Sequence, residues 1–171
     1  MQVLPEVHDY NTSIAANLQQ FKELHAELLE QKAAAAAPAA APGTRPASSV
    51  EMAYSMNFAA AELVSKRDVP LSEFAGRVAL VVNFGNQELK TDELIRGFVD
   101  KYGVKFPMFA PVEVNGKGAH PLWKFINPES NISWNFAGKF LLDQSGQVVK
   151  RYTSSTPTAT IEADVRALLA A

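Results

Sequence analysis

Residues Val78–Val82 form an unbroken apolar run, which restricts the fold more strongly than any other segment of the sequence. Such a run, rich in β-branched residues, is typical of a strand covered on both faces, as in a parallel or mixed sheet flanked by helices. A strand of a parallel sheet is usually followed by a crossover helix before the chain pairs again. Here only a short polar segment, beginning at Asn83-Phe84, precedes the next predicted helix. The exit from this strand is therefore unusually short.

The first 49 residues predict an arm and a linker. Residues 1–32 form an N-terminal arm with one amphipathic helix, because apolar residues recur there at alternating spacings of four and three. Residues 33–49 are mostly Ala and Pro and predict a semi-stiff linker. Two interpretations of the helix stay open: it packs on its own domain, or its apolar stripe docks on a partner. The stripe residues that we consider interface candidates are Ile14, Leu18, Phe21 and Leu28.

Residues 50–171 have the patterning of one α/β domain. The predicted strands are, in chain order, Tyr54–Leu63, Asp68–Leu71, Val78–Asn83, Lys139–Asp143 and Val148–Tyr152, the last two forming a hairpin. The predicted helices are Thr91 to just before Gly103, a short turn at Pro121–Phe125, and Ile161–Leu169. The order of strand, helix, hairpin and helix around a small mixed sheet indicates a truncated thioredoxin-like sandwich.

Composition excludes several classes of function. The 16 basic residues nearly balance the 18 acidic ones, so no electrostatic surface for nucleic acid is expected. The chain has no cysteine, which excludes thiol nucleophiles, disulfides and thiolate metal sites, and its three histidines lack any ligand spacing. No apolar run is long enough for a membrane span, and the first residues lack the basic region of a signal peptide. We therefore expect an intracellular protein that is not secreted. Two locations stay open: the cytoplasm, including the cytoskeleton, and the mitochondrion, the latter without an evident cleavable presequence.

Five segments of the domain resemble the glutathione peroxidase family in sequence and in order. They are DVPLSEFAGRVALVVN, FGNQELKTDELIRGFVDKYGVKFPMF, VEVNGKGAHPLWKF, WNFAGKFLLDQSGQVVKRY and IEADVRALL. The resemblance covers essentially residues 50–169, and the arm before Val50 has no counterpart in the family. It implies a thioredoxin-like fold. For intact members it also implies reduction of hydrogen peroxide and of organic or lipid hydroperoxides by glutathione or thioredoxin.

The active site that the resemblance implies is incomplete in this chain. The family uses a tetrad of a peroxidatic cysteine or selenocysteine with a Gln, a Trp and an Asn, and the resemblance places the last three at Gln87, Trp134 and Asn135. Family members carry the nucleophile on a loop after the central strand, followed by a helix and a second strand, whereas here Asn83 is followed directly by Phe84. We therefore expect a degenerate member in which no catalytic residue is functional and the three tetrad positions are vestigial.

The resemblance also implies a change in the sheet. The missing strand lies beside the central one in the family, so its loss makes Val78–Val82 an edge with unpaired N–H and C=O groups. Val78, Leu80 and Val82 are therefore interface candidates for a partner that supplies a strand or an apolar surface. In addition, the segment before Lys139 is one residue longer than the family pattern, and Gly138 suits a β-bulge that would absorb the extra residue.

The leading hypothesis is a catalytically inactive pseudoenzyme of this family that serves as a structural or accessory subunit of a larger protein complex. This hypothesis needs protein partners and predicts no cofactor, no metal, no nucleic acid and no direct membrane span. The alternative is a residual glutathione- or thioredoxin-dependent peroxidase, or a hydroperoxide-binding protein of the oxidative-stress response, that uses the three tetrad positions. A third hypothesis is that the gap is a splicing or gene-assembly artefact and that the natural product is an ordinary peroxidase.

Overall fold

The computed structural model describes residues 16, 18–19, 21–26, 53–54, 56–84, 89, 91–128, 131–133 and 135–170. By its internal contacts the chain divides into two units. The first consists of residues 1–49 with 97–106, and the second of residues 50–96 with 107–171. Of the interface candidates in the arm, Ile14 and Leu28 lie outside the described residues, as does the predicted linker.

The first unit contains the helix predicted in the arm. Residues 21–26 are helical, as are 16 and 18–19, and we label this helix α1. Its apolar side chains Leu18, Phe21 and Leu24 are buried, with exposed fractions of 1%, 7% and 7%. In the same unit the rings of His25 and Phe106 meet edge to face, with centroids 6.2 Å apart. This burial supports the interpretation in which the apolar stripe packs within its own chain.

The second unit begins with a small antiparallel sheet. Strand β1 (Ala59–Ala61) pairs with β2 (Asp68–Pro70). Strand β1 is shorter than the predicted strand at 54–63 because β2 offers it only three pairing residues. Tyr54 lies instead in a turn, where its hydroxyl donates a hydrogen bond to the Arg77 carbonyl at 2.9 Å. Burial raises the pKa of this tyrosine to about 12, and the Asp143 carboxylate adds to the effect.

A three-stranded sheet forms the centre of the second unit. Its strands are β3 (Ala79–Val82), β4 (Lys139–Leu142) and β5 (Val148–Tyr152), in the order β3-β4-β5. Both pairings are antiparallel. The α/β fold class is confirmed, but the sheet is not mixed in the part of the chain that the structure describes. Within the described ranges no crossover unit follows β3 to bring a parallel strand beside it, and β3 is an edge strand of this sheet there.

The central strand β4 is buried on both faces. Phe140 and Leu142, exposed by 1% and 0%, belong to a core cluster that includes Trp123 of helix α3 (Pro121–Ile126). The rings of Trp123 and Phe140 meet edge to face at 6.0 Å. Because side chains alternate along a strand, Lys139 and Leu141 point to the opposite face. The sheet is therefore covered on both sides, as in the predicted sandwich.

Helix α4 (Thr158–Leu169) packs on that opposite face. Tyr152 of β5 stands across from Lys139, and its hydroxyl donates a hydrogen bond to Asp164 Oδ2 at 2.8 Å. The Lys150 ammonium binds the other oxygen of Asp164. Burial, and then its bond to Asp164, raise the pKa of Tyr152, while the bonds from Lys150 and Tyr152 lower the pKa of Asp164. Two polar side chains of β5 thus attach α4 to the sheet.

The remaining helices lie close to their predicted positions. Helix α2 covers Asp92–Lys101 and ends before Gly103, as expected, and a 3-10 helix occupies Leu71–Phe74. Helix α4 begins three residues before its predicted start, with Pro157 at the N-cap. Pro157 has no backbone N–H to lose at this position, which makes it compatible with a helix start. The predicted bounds were therefore nearly correct for the helices.

His120 connects two elements of the second unit. It is the N-cap residue of α3: its Nδ1 accepts a hydrogen bond from the Leu122 N–H at 3.2 Å. Its Nε2 lies 2.8 Å from the Ala59 carbonyl of β1. Because Nδ1 accepts, Nε2 carries the proton and donates to that carbonyl. A single neutral tautomer therefore satisfies both contacts.

The predicted β4–β5 hairpin is confirmed, and its turn requires glycine. Gly146 has φ +87°, in the left-handed region that favours glycine. A Cβ atom at this position would lie 2.7 Å from the backbone nitrogen of Tyr54. The Gly146 carbonyl also accepts the Ala53 N–H at 3.0 Å. The hairpin turn is thereby packed against the beginning of the second unit.

Candidate functional site

The end of β3 is attached to the turn that precedes β4. Asn83 follows β3, and its backbone N–H donates a hydrogen bond to the Gly138 carbonyl at 3.0 Å. The Asn83 carbonyl accepts the Phe136 N–H at 3.1 Å, and Asn83 Oδ1 accepts the Gly138 N–H at 2.7 Å. We call residues 135–138 the 135–138 turn. One residue at the short exit from β3 therefore makes three hydrogen bonds to this turn.

The 135–138 turn is tightly packed. A Cβ atom on Gly138 would lie 2.8 Å from Ile132 Cδ1 and 3.2 Å from Asn83 Oδ1, so any larger residue would force the Ile132 side chain to shift. Phe136 is 5% exposed and has φ +56°, a conformation that is uncommon for a residue other than glycine. Its ring lies against that of Phe84, with centroids 5.8 Å apart. Packing on both sides compensates for the unfavourable backbone conformation of Phe136.

The predicted β-bulge at Gly138 stays a prediction, because the β3–β4 register ends at the Val82–Lys139 pair. Beyond that pair, the Asn83 N–H donates to the Gly138 carbonyl, but the Asn83 carbonyl accepts from the Phe136 N–H and not from Gly138, so the regular pattern of paired bonds is interrupted. A second irregularity lies on the other side of β4, where the pairing with β5 shifts between Leu141 and Leu142 and Val149 is the extra residue. The backbone reverses at the left-handed Phe136, before β4 begins.

Of the three predicted tetrad positions, the structure describes one. Asn135 belongs to the 135–138 turn; it is half-buried, and its amide nitrogen Nδ2 is buried. Gln87 and Trp134 lie outside the described residues. Asn135 directly precedes Phe136, whose N–H bonds the Asn83 carbonyl, and the assignment of the three tetrad positions stays a prediction.

Lys139 is a buried cation next to this turn. Its side chain is 1% exposed, and its ammonium donates a hydrogen bond to the Thr153 carbonyl at 2.9 Å. Burial lowers the pKa of this ammonium group, because the charged form is poorly solvated there. The unfolded chain then binds more protons than the folded one between the two pKa values. The free energy of unfolding therefore rises as the pH increases across this interval.

The interface candidates on the sheet lie on β3 or directly before it. Val78, Leu80 and Val82 are each half-buried. Ala79 and Val81 pack partly against the core cluster with α3, so by alternation Leu80 and Val82 point to the face that carries α4. From Val78 to Phe84 the segment has neither a charged residue nor a proline. The structure thus leaves an uncharged strand of moderate exposure at the edge of the sheet.

The described residues also line a cavity of about 330 Å³ beside α3. Asn115, Lys124 and Asn127 contribute polar groups to its wall. The Asn115 amide already bonds both the N–H and the carbonyl of Ile132, at 2.9 and 2.8 Å. Lys124 Nζ donates to the Lys117 carbonyl at 2.7 Å. These groups stabilise the surrounding loops, and the cavity contains none of the predicted site residues.

The described residues offer neither a metal site nor a membrane-spanning helix. Their Asp, Glu and His side chains nowhere form a group of three that could bind a metal ion. None of their helices is both long enough and apolar enough to cross a bilayer. The predicted tetrad position Asn135 lies in the 135–138 turn, and the interface candidates of the sheet lie on β3 or directly before it.

Comparison with known proteins supports the predicted family. A family profile described as glutathione peroxidase matches residues 83–127. A glutathione peroxidase of Schistosoma mansoni is 45% identical over 93 residues, which cover 50% of this chain and 54% of the relative. A protein of Helianthus annuus named "Probable phospholipid hydroperoxide glutathione peroxidase" is 32% identical over 149 positions, covering 62% of this chain and 82% of the relative. The alignment has more positions than 62% of this chain has residues, so it contains gaps in this chain. The relative therefore has residues with no counterpart here.

A solved structure shows the same fold. The crystal structure of Trgpx in apo form superposes with a TM-score of 0.55 at 24% identity, covering 70% of this chain and 97% of that one. This confirms the glutathione-peroxidase-like, thioredoxin-like sandwich. The chain spans about half the length of the first curated relatives that it matches, 54% in the case of the Schistosoma mansoni protein. The chain covers 82% of the Helianthus annuus relative at 32% identity, and on this ground it belongs to the glutathione peroxidase family.

Proposed function

We propose that this chain is a catalytically inactive glutathione-peroxidase-like pseudoenzyme that acts as a structural or accessory subunit of a larger protein complex. The observation that carries the proposal is the absence of cysteine from all 171 residues. Covalent peroxide reduction in this family begins with attack by a thiolate or selenolate, and an amide or an indole cannot take that part. Gln87, Trp134 and Asn135 could at most orient a peroxide that no group in this chain attacks.

The end of β3 supports the same conclusion. The family resemblance places the nucleophile-bearing loop directly after this strand. In this chain Asn83 occupies that position and makes three hydrogen bonds to the 135–138 turn. Phe84 then lies against Phe136. The polar groups at the strand end are thus used to close the fold, which suits a structural role.

The subunit role rests on the unprotected edge of the sheet. Proteins usually protect an edge strand with charges, prolines or bulges, because its backbone groups can pair with another chain. The segment from Val78 to Phe84 has neither a charge nor a proline. A strand of this kind is suited to recognition by β-augmentation, in which a partner adds a strand to the sheet.

The test of catalysis is a turnover assay on the full chain. Hydrogen peroxide and a lipid hydroperoxide are supplied separately, with either glutathione or thioredoxin as the reductant, and consumption is compared with that of a heat-denatured sample. An active family member serves as the positive control. We expect no turnover above the denatured sample. Turnover by the folded chain that is lost in Asn135→Ala would overturn the proposal and establish the residual-peroxidase alternative.

The test of the subunit role uses the protein from its natural source. Intact mass spectrometry should find a chain of 18.6 kDa, which also decides against a gene-assembly artefact. Native size fractionation should find that chain at a larger mass together with defined, stoichiometric partners. A longer chain carrying a cysteine or selenocysteine between Asn83 and Phe84 would refute the proposal.

A further inference from the structure

The hydrogen-bond pattern at the end of β3 shows which of its backbone groups point outward. Asn83 directs both its N–H and its carbonyl toward the 135–138 turn, that is, toward the β4 side. Backbone direction alternates along an antiparallel strand, so Val81 and Ala79 also direct theirs toward β4. The N–H and C=O groups of Leu80 and Val82 therefore point to the open side. We call these four groups the β3 edge.

The β3 edge is unpaired and unprotected within the described residues. There, β4 is the only strand that pairs with β3. The opposite edge of the sheet, β5, is different, because it has a bulge at Val149 and carries Lys150 and Arg151. A bulge and cations on an edge strand are common devices against strand pairing. The β5 edge of this sheet thus carries features that oppose strand pairing, whereas the β3 edge carries none.

We propose that the β3 edge pairs with the β3 edge of a second copy of this chain, antiparallel about a two-fold axis. This rests on the proposed role of β3 as an interaction surface and names its occupant. With the axis at Val81, Leu80 stands opposite the partner's Val82, and Val82 opposite the partner's Leu80. Each of these two pairs exchanges both of its N–H···O bonds, so all four groups of each edge are satisfied. The two three-stranded sheets become one continuous six-stranded sheet.

A second copy fits this edge for two reasons. The outward residues are placed symmetrically on either side of Val81, so the strand is complementary to itself without any shift in register. The nearest charge on the N-terminal side is Arg77, four residues from the axis. Antiparallel pairing separates the two Arg77 positions by about 26 Å at 3.3 Å per residue, whereas parallel pairing would place these like charges side by side. Interfaces of this isologous kind are the commonest way in which soluble proteins dimerise.

The first test is the solution mass of the full recombinant chain, measured by light scattering and sedimentation over a wide range of concentrations. We expect a mass of twice 18.6 kDa that falls to the single-chain mass on dilution. Val82→Pro removes one outward N–H but no bond to β4, so it should shift the dimer toward the monomer while the circular dichroism stays native. A wild-type chain that is monomeric at every concentration, or a dimer that the folded variant leaves intact, overturns the proposal.

The second test uses the absence of cysteine, because a single introduced thiol then reports the register. Val81→Cys places two thiols on the axis, where non-hydrogen-bonded residues of an antiparallel pair have Cα atoms about 4.5 Å apart, within disulfide range. Ala79→Cys is the matched control on the same face of the strand, with a Cα separation of about 13 Å. With copper phenanthroline as oxidant, the first variant should cross-link and the second should not. Equal cross-linking of both, or none in the first, overturns the register even if Val82→Pro fails to fold.

The peroxide assay is independent of both tests. A monomer without turnover would overturn the dimer and leave the inactive-peroxidase proposal standing. A dimer with turnover would overturn the inactive-peroxidase proposal and leave the dimer standing.

Discussion

Replacing Gly138 by alanine should destabilise the protein through one identified atom. The new Cβ would lie 2.8 Å from Ile132 Cδ1 and 3.2 Å from Asn83 Oδ1, so Ile132, which is 6% exposed, has to move. Overpacking of this kind costs about 1–3 kcal/mol. Val at position 132 lacks Cδ1, and Ile132→Val alone should cost about 0.5–1.5 kcal/mol. The double variant should be more stable than the sum of the single effects predicts, by about 1 kcal/mol.

The measurement is urea unfolding of the four proteins that form this double-mutant cycle, followed by circular dichroism. Equal slopes against urea would show that the same folded and unfolded states are compared. Additive effects within about 0.3 kcal/mol would mean that the two residues do not meet and would refute the described geometry of the 135–138 turn. A Gly138→Ala variant as stable as wild type would refute it more directly.

Three further predictions concern stability. Lys139→Met, measured by urea unfolding, should be at least as stable as wild type at neutral pH. Its stability advantage should shrink as the pH approaches about 10, because only wild type gains stability when the buried ammonium loses its proton. An advantage that does not change with pH would contradict this prediction. Gly146→Ala should lower the melting temperature through a strain of about 1–3 kcal/mol from its positive φ, increased by the contact with Tyr54, and an unchanged melting temperature would contradict the turn geometry. His120→Ala should cost about 1 kcal/mol through the lost N-cap, as measured by urea unfolding, and His120→Asn should recover part of it; equal losses in both would argue against the capping role.

Most of the secondary structure was predictable because local signals agreed with the final packing. The β4–β5 hairpin has alternating strands and a turn with glycine at Gly146, and α2 has polar residues at its start and a glycine after its end. The strand at 54–63 was overestimated because its length depends on the partner strand β2, which provides only three pairing residues. The antiparallel sheet was missed because the direction of pairing depends on which strands meet, and this is a property of the tertiary fold.

The candidate site was predictable in its location but not in its contacts. The short exit at Asn83 was conspicuous in the sequence, and the Gly138 segment stood out by one extra residue. The three hydrogen bonds between them join residues that are far apart in the chain, so no local pattern could reveal them. The role of His120 was missed for the same reason, since its second contact is the Ala59 carbonyl.

The distance along the chain between β3 and its partner has a consequence for folding. The hairpin of β4 and β5 can form as soon as its own short segment has been synthesised. The pairing of β3 with β4, in which Leu80 stands opposite Leu141, requires the whole intervening segment as well. Closing so long a loop is slow, and contacts of this kind dominate the folding times of small proteins. During synthesis β3 leaves the ribosome well before β4, as an apolar segment without a partner. The interval before β4 is made is therefore the period in which a nascent chain of this protein is most exposed to aggregation and most in need of a chaperone.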